Sequence, residues 1–172
     1  LDANIQLYAQ QLAEQVCLEK EAESVSILVL RPDNGEILAM ADVPEYQLND
    51  PFTLPDGQQE QLMTEKEKQE ALNKMWRNAC INDTYEPGST FKMNPAVAAL
   101  ESGVITPSSI IQDKGVYTFY EYPQPWCWVW PLGYTHGRVN VSDAIAVSCN
   151  YFFYEVGRLT GIQTIDDYAT QF

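Results

Sequence analysis

The segment 24–44, SVSILVLRPDNGEILAMADVP, limits what this chain can fold into more than any other. Val25 to Leu30 is a β-rich apolar run, Asp33-Asn34-Gly35 is a turn signal, and Glu36 to Ala41 supplies a returning strand. This pattern predicts a β-hairpin. Both strands are apolar at nearly every position, so the hairpin should be covered on both faces.

The rest of the chain is mostly helical in pattern. Residues 3–18 place Ile5, Leu7, Leu12, Val16 and Cys17 at helical intervals behind Asp2, a plausible N-cap. Residues 44–58 hold three prolines and read as loop, whereas 59–78 are charged and helix-prone. Residues 83–89, DTYEPGS, form a turn, and 93–102 read as a helix stopped by Gly103. Pro95 requires that this helix begin near Asn94 or kink there. A short helix over 142–147 follows. Residues 151–160 set Phe152, Phe153, Val156 and Leu159 on one stripe, and a last helix begins near Ile165. The stretch 104–137 is irregular and aromatic. Its three close tryptophans could line a groove, but a local hydrophobic cluster under a loop is the preferred reading.

Length and charge narrow the partners. The chain has 172 residues, a one-domain length, and 45% hydrophobic residues, enough for a core. Its net charge of −14 disfavours nucleic acid and anionic lipid. Residues 1–70 carry −11 of that charge, read as a solubilising face. No run approaches a membrane span or a secretory signal, and a start at Leu1 rather than Met suggests an excised piece of something longer. Cys17, Cys80, Cys127 and Cys149 are widely spaced, and His136 is the single histidine. Buried free thiols are therefore expected, with one disulfide possible. Neither a metal site nor a cofactor is expected.

Ser89-Thr90-Phe91-Lys92 carries the first chemical signal. A serine hydroxyl needs a base within reach, and a lysine three positions on lies on the same face of a helical or 3₁₀ turn. That lysine must be semi-buried, because burial is what lowers its ordinary pKa of ~10.4. With 8 serines and 6 lysines in the chain, chance alone supplies about 0.3 such pairs, so the tetrapeptide by itself decides little. A second signal, Ser148-Cys149-Asn150, sits at a break between two helical patterns. Its hydroxyl could pass a proton, and its amide could bind a substrate amide.

Together, Ser-x-x-Lys at a helix start and Ser-x-Asn between later helices form part of a signature of penicillin-reactive serine acyl-transferases. YEPGSTFK, AALESG, THG and SCNYFF, in that order, resemble the transpeptidase domain of class B penicillin-binding proteins. ILAMADVP and MWRNACINDTYEPGSTFK resemble the same family upstream of the serine, and LDANIQ resembles the linker into the domain. The resemblance implies an α+β penicillin-binding/β-lactamase-like fold, here partial. It would comprise a mainly helical subdomain plus the first hairpin of an antiparallel sheet. Residues 1–172 would then be one truncated transpeptidase domain, with helix and hairpin in 1–43 and the mostly helical part in 44–172.

The resemblance also implies roles. Ser89 would be the nucleophile, Lys92 the base, Ser148 the proton relay and Asn150 the group holding the substrate amide. The backbone N–H of Ser89 would be one oxyanion donor. The substrate would be a peptidoglycan stem peptide ending in D-Ala-D-Ala, mimicked by β-lactam antibiotics. Partners would be cell-wall synthesis proteins. The parent protein would be membrane-anchored, with this domain on the extracytoplasmic face of a bacterial membrane. The family's Lys-Thr-Gly or Lys-Ser-Gly triplet does not occur after Asn150, so unaided turnover by these residues is not expected. His136 is expected to be structural, near the cleft. A serine β-lactamase or penicillin sensor, and a non-catalytic scaffold for cell-wall assembly, are the competing readings.

Overall fold

A computed structural model of the chain describes residues 1–54 and 62–172. The parts of the expected loop 44–58 and charged helix 59–78 that fall on residues 55–61 lie outside the described residues. Two compact units make up the chain, 1–85 and 86–172.

In the first unit the hairpin forms as its sequence requires. Strand β1 (Val25–Leu30) pairs antiparallel with β2 (Ile37–Val43), setting Ile27 opposite Ala41 and Leu28 opposite Met40. Gly35 takes the left-handed turn position at φ +73°, and Asn34 Oδ1 accepts from the Glu36 N–H at 3.0 Å. Helix α1 (Ala3–Lys20) starts at the expected cap, where Asp2 Oδ1 accepts from the N–H groups of Asn4 and Ile5. Ile5, Leu12 and Cys17 of the expected stripe are half-buried, but the centre of the covered face is not leucine. Ala9 and Ala13 are buried while Leu7 and Val16 face outward. The reason is steric: Ala9 packs on Ala39 and Ala41 together with Ile5, Ile27 and Val29, and these small residues let helix and sheet approach closely.

The same helix also closes an edge of the sheet. The Asp2 N–H donates to Leu38 O at 2.7 Å. Gln6 pairs twice with the backbone of Met40, Nε2 donating to O at 2.9 Å and Oε1 accepting from N at 2.8 Å. These bonds satisfy polar groups that an edge strand leaves open. Among the described residues the other face of the hairpin is covered only in part. Leu28 and Leu30 stay 42% and 51% exposed, because α1 covers the opposite face. Helix α2 (Glu65–Met75) opens on a Thr64/Glu67 capping box, and a short α3 (Ala79–Asn82) donates its first N–H to Asp42 Oδ2 at 2.7 Å.

The second unit holds the helical part. A 3₁₀ turn (Gly88–Lys92) runs directly into α4 (Met93–Glu101). Pro95 lies in the first turn of α4, where a missing N–H is harmless, so no kink is needed. Strand β3 (Ile111–Asp113), inside the stretch read as irregular, pairs antiparallel with β4 (Gly137–Val139), which begins at its end. Three residues each is too short for a periodicity signal. Helices α5 (Val141–Ala146), α6 (Asn150–Thr160) and α7 (Ile162–Ala169) complete the unit. Phe152, Phe153 and Val156 of α6 enter a core with Ala96, Ala99, Val129 and Ala144. Leu159, expected on the same stripe, remains 45% exposed. No helix among the described residues is long and apolar enough to cross a membrane.

Candidate active site

The turn Glu86-Pro87-Gly88 delivers Ser89 to the surface. Gly88 takes φ +56°, and Thr90 fastens the turn by donating its hydroxyl to Pro87 O at 2.7 Å. Ser89 is exposed and Lys92 is half-buried. A 3₁₀ turn brings positions three apart into register, so both side chains lie on one side of it. Among the described residues no hydrogen bond joins Ser89 to Lys92. Instead Lys92 Nζ donates to Ser148 O at 2.9 Å, Ser148 Oγ at 2.8 Å and Asn150 Oδ1 at 2.6 Å. It also stands 5.8 Å from the centre of the Phe153 ring.

The backbone around Ser148 explains how this meeting is arranged. Helix α5 ends at Val147, and Ser148 adopts φ +52°. The Ser148 N–H donates to Ile145 O at 3.1 Å, and the Cys149 N–H to Ala144 O at 2.8 Å. This is a Schellman termination with Ser148 at the left-handed position, where glycine is usual. Buried Cys149 supplies the accompanying apolar contact on Ala144, both being fully inaccessible. A β-carbon in that conformation costs about 1–2 kcal/mol. Strain of this kind marks functional positions, and here it presents both oxygens of Ser148 to Lys92.

The electrostatics fit a base. Burial pushes the Lys92 ammonium below the ordinary lysine range, although the thiols of Cys127 and Cys149 act in the opposite direction. The bond to Ser148 Oγ gives a proton a direct path between the two groups. Asn150 Oδ1 faces Lys92, which leaves its amide N–H₂ as the donor side of that residue. A hollow of about 380 Å³ lies beside the 3₁₀ turn, lined by Pro87, Thr90, Phe91, Met93, Val97 and Phe172 among others. Its wall is apolar and includes none of Lys92, Ser148 or Asn150, so it is not the reacting centre.

Behind Ser148 and Asn150 lies a polar cluster. Asp113 is 1% exposed. Its Oδ1 accepts from the Gly115 N–H at 2.7 Å. Its Oδ2 meets the His136 N–H at 3.0 Å, His136 Nδ1 at 2.9 Å and the Cys149 thiol at 3.6 Å. Cys127 Sγ lies 3.3 Å from His136 Nδ1 and 3.9 Å from Cys149 Sγ. Burial pushes Asp113 up, but the donors from His136 and Gly115 outweigh it and hold the carboxyl below its usual range. Burial pushes the Cys149 thiol up to about 12. One ligand atom from each of Asp113, Cys127, His136 and Cys149 lies within 4.8 Å of all the others. Two thiols, an imidazole and a carboxylate are a donor set that Zn²⁺ accepts. The expectation of no metal site rested on the wide spacing of the cysteines along the chain and on there being a single histidine. Folding removes that objection by closing β3, β4 and the loop after α5 onto one point.

The tryptophans also differ from expectation. Trp126, Trp128 and Trp130 are 55%, 48% and 45% exposed, while the intervening Cys127 and Val129 are fully buried. The segment turns here, the Trp130 N–H donating to Cys127 O at 2.9 Å as a 3₁₀ helix begins, and the turn sets the three rings outward around the buried Cys127 and Val129.

The profile of the penicillin binding protein transpeptidase domain matches residues 25–172. The chain belongs to that family. Peptidoglycan D,D-transpeptidase MrdA of Salmonella typhimurium (strain SL1344) is 30% identical over 185 residues, spanning 100% of this chain and 25% of that protein. Peptidoglycan D,D-transpeptidase FtsI of Buchnera aphidicola subsp. Schizaphis graminum is 32% identical over 114 residues, 66% of this chain and 17% of that protein. Among solved structures, PBP2 of Helicobacter pylori superposes with a TM-score of 0.73 at 26% identity, covering 98% of this chain and 29% of that one. Pseudomonas aeruginosa PBP2 in complex with WCK 5153 gives 0.70 at 26% identity, covering 95% and 35%. The chain thus spans about a quarter of the length of its MrdA relatives, and its fold is the α+β transpeptidase fold in part.

Of the four residues singled out in sequence, Lys92, Ser148 and Asn150 converge on one another. Ser89 stands on the same turn as Lys92 without a bond to it. Asp113 escaped the sequence reading, and Trp128 entered it only as one of three close tryptophans. Asp113 falls in a three-residue strand, and an isolated aspartate carries no spacing signal.

Proposed function

We propose that this chain forms the acyl-transfer part of a peptidoglycan D,D-transpeptidase in which Ser89 is the nucleophile. The observation that carries the reading is the half-buried Lys92 ammonium between Ser148 Oγ at 2.8 Å and Asn150 Oδ1 at 2.6 Å. Ser89 Oγ attacks the carbonyl of the penultimate D-alanine, and its proton passes to neutral Lys92. Negative charge builds on the carbonyl oxygen, facing the Ser89 N–H. Collapse breaks the amide bond, and Ser148 relays the proton from Lys92 to the leaving D-alanine amine. The acyl group stays on Ser89 until an amine of a neighbouring strand attacks it and regenerates the hydroxyl. Asn150 holds the substrate amide through its side-chain N–H₂. A β-lactam follows the first half of this path: its ring amide opens onto Ser89, and the departing nitrogen remains tethered.

A second oxyanion donor and a carboxylate anchor are needed for efficient turnover, and these 172 residues hold no Lys-Thr-Gly or Lys-Ser-Gly triplet after Asn150. Loss of one oxyanion donor slows such enzymes by about 10²–10³. The whole protein acts on the outer face of a bacterial membrane with other cell-wall proteins. A complex of Helicobacter pylori PBP2 with MreC, which covers 90% of this chain at 27% identity, supports a partner of that kind. The test is release of D-alanine from a D-Ala-D-Ala stem peptide by the full-length protein. Turnover lost in Ser89→Ala and Lys92→Ala supports the reading, and turnover surviving Ser89→Ala overturns it. Rapid water hydrolysis of a penicillin adduct would favour the β-lactamase reading instead.

A further inference from the structure

The three outward tryptophans are not equivalent. Trp128 reaches the site: its indole Nε1–H donates to Val147 O at 3.1 Å. Val147 is the last residue of the α5 termination, and its carbonyl belongs to the peptide unit that enters Ser148. The Schellman bonds already use the carbonyls of Ala144 and Ile145, so the Val147 oxygen depends on a donor from outside the helix. The other end of that peptide unit, the Ser148 N–H, is bound to Ile145 O at 3.1 Å. Both polar ends of one peptide plane are therefore held. The φ of Ser148 is the rotation measured from that plane, and it stands at the strained value of +52°. The Trp128 ring is steadied in turn by His136, whose ring centroid lies 5.8 Å away at 54°.

We propose that Trp128 is a positioning residue for acyl transfer, its indole N–H clamping the Val147–Ser148 peptide and so fixing where Ser148 Oγ stands against Lys92 Nζ. This rests on the acyl-transfer reading above. The clamp acts on the geometry of the proton path and not on substrate affinity, which separates it from a residue that merely packs. A lost neutral hydrogen bond corresponds to roughly a fivefold change in an equilibrium or a rate. A catalytic arrangement that depends on a narrow geometry amplifies such a loss.

The experiment uses the full-length protein and benzylpenicillin, with the noncovalent dissociation constant and the acylation rate constant measured separately. Trp128 is replaced by 3-benzothienylalanine, which keeps the bicyclic shape and removes the N–H. A second replacement, by a fluorinated tryptophan, keeps the N–H. Trp126→Phe changes a neighbouring outward ring that makes no hydrogen bond to Val147 among the described residues. The expected result is an acylation rate constant about five- to tenfold lower in the benzothienyl protein, with an unchanged dissociation constant and no more than the small drop in melting temperature that one hydrogen bond carries. The fluorinated protein and Trp126→Phe should acylate at the wild-type rate. Equal rate constants for the benzothienyl and wild-type proteins would overturn the clamp. So would a loss that appears in affinity in step with the rate. Wild-type protein that takes no acyl group at Ser89 would overturn the acyl-transfer reading and the clamp with it, whereas the first two results would leave that reading standing.

Discussion

Replacing Ser148 by glycine and, separately, by alanine should split its two roles. Both substitutions remove Oγ and with it the 2.8 Å bond to Lys92, so that loss cancels between them. What remains is the backbone. At φ +52° an alanine β-carbon carries about 1–2 kcal/mol of left-handed strain that glycine does not. Glycine gives back about 0.4–1 kcal/mol through the greater freedom of its unfolded chain. The glycine variant should therefore be more stable than the alanine variant by up to about 1.6 kcal/mol, centred on about 0.8 kcal/mol. Denaturant midpoints at constant slope would read the difference. Penicillin acylation should fall in both by at least about 10²-fold, the usual range for loss of a proton-transfer group. An alanine variant more stable than the glycine variant would show that Ser148 is unstrained, and its placement would need another explanation.

Other consequences follow from single contacts. Phe152 is fully buried at the centre of the core, so Phe152→Ala should cost about 3–5 kcal/mol by denaturant unfolding. Because burial holds Lys92 below the ordinary lysine range and only its neutral form is a base, acylation should be weak at low pH and rise as pH passes upward through that lowered value. Its midpoint should sit below ~10.4, and a profile centred at or above that value would contradict the burial argument. Added Zn²⁺ should raise the melting temperature of the wild-type protein through the four ligands gathered at Asp113, and the rise should vanish in His136→Ala. A β-carbon at Gly115 would lie 2.0 Å from the Trp130 ring, at φ +86°. Gly115→Ala should thus lower the melting temperature measurably.

Elements with a strong local signal were legible in the sequence. Asp2 as a cap, the Asn34-Gly35 turn and the apolar runs beside it require no distant partner to be read. The α6 stripe was legible through Phe152 and Val156, but Leu159 shows that periodicity does not say how wide the covered face is. In α1 Ile5, Leu12 and Cys17 lie on the covered side as expected while Leu7 and Val16 do not, because close packing against Ala39 and Ala41 puts alanine at its centre. Strands β3 and β4 are too short to show alternation, so Asp113 and His136 could be paired only in three dimensions. The same holds for the cysteines: Cys127 and Cys149 are 22 positions apart yet their sulfurs lie 3.9 Å apart. At the site, the two motifs named Lys92, Ser148 and Asn150. Neither motif revealed that Ser148 occupies a left-handed helix terminus, because such positions usually announce themselves with glycine.

The central claim is that Ser89 is a nucleophile served by Lys92. Intact-mass analysis of the full-length protein after incubation with benzylpenicillin tests it most directly, alongside Ser89→Ala and Lys92→Ala. The account predicts an increase equal to the mass of one penicillin in the wild type, mapped to the peptide containing Ser89, and none in either variant. An adduct of the same mass on Ser89→Ala, or its absence from the wild type, would contradict it.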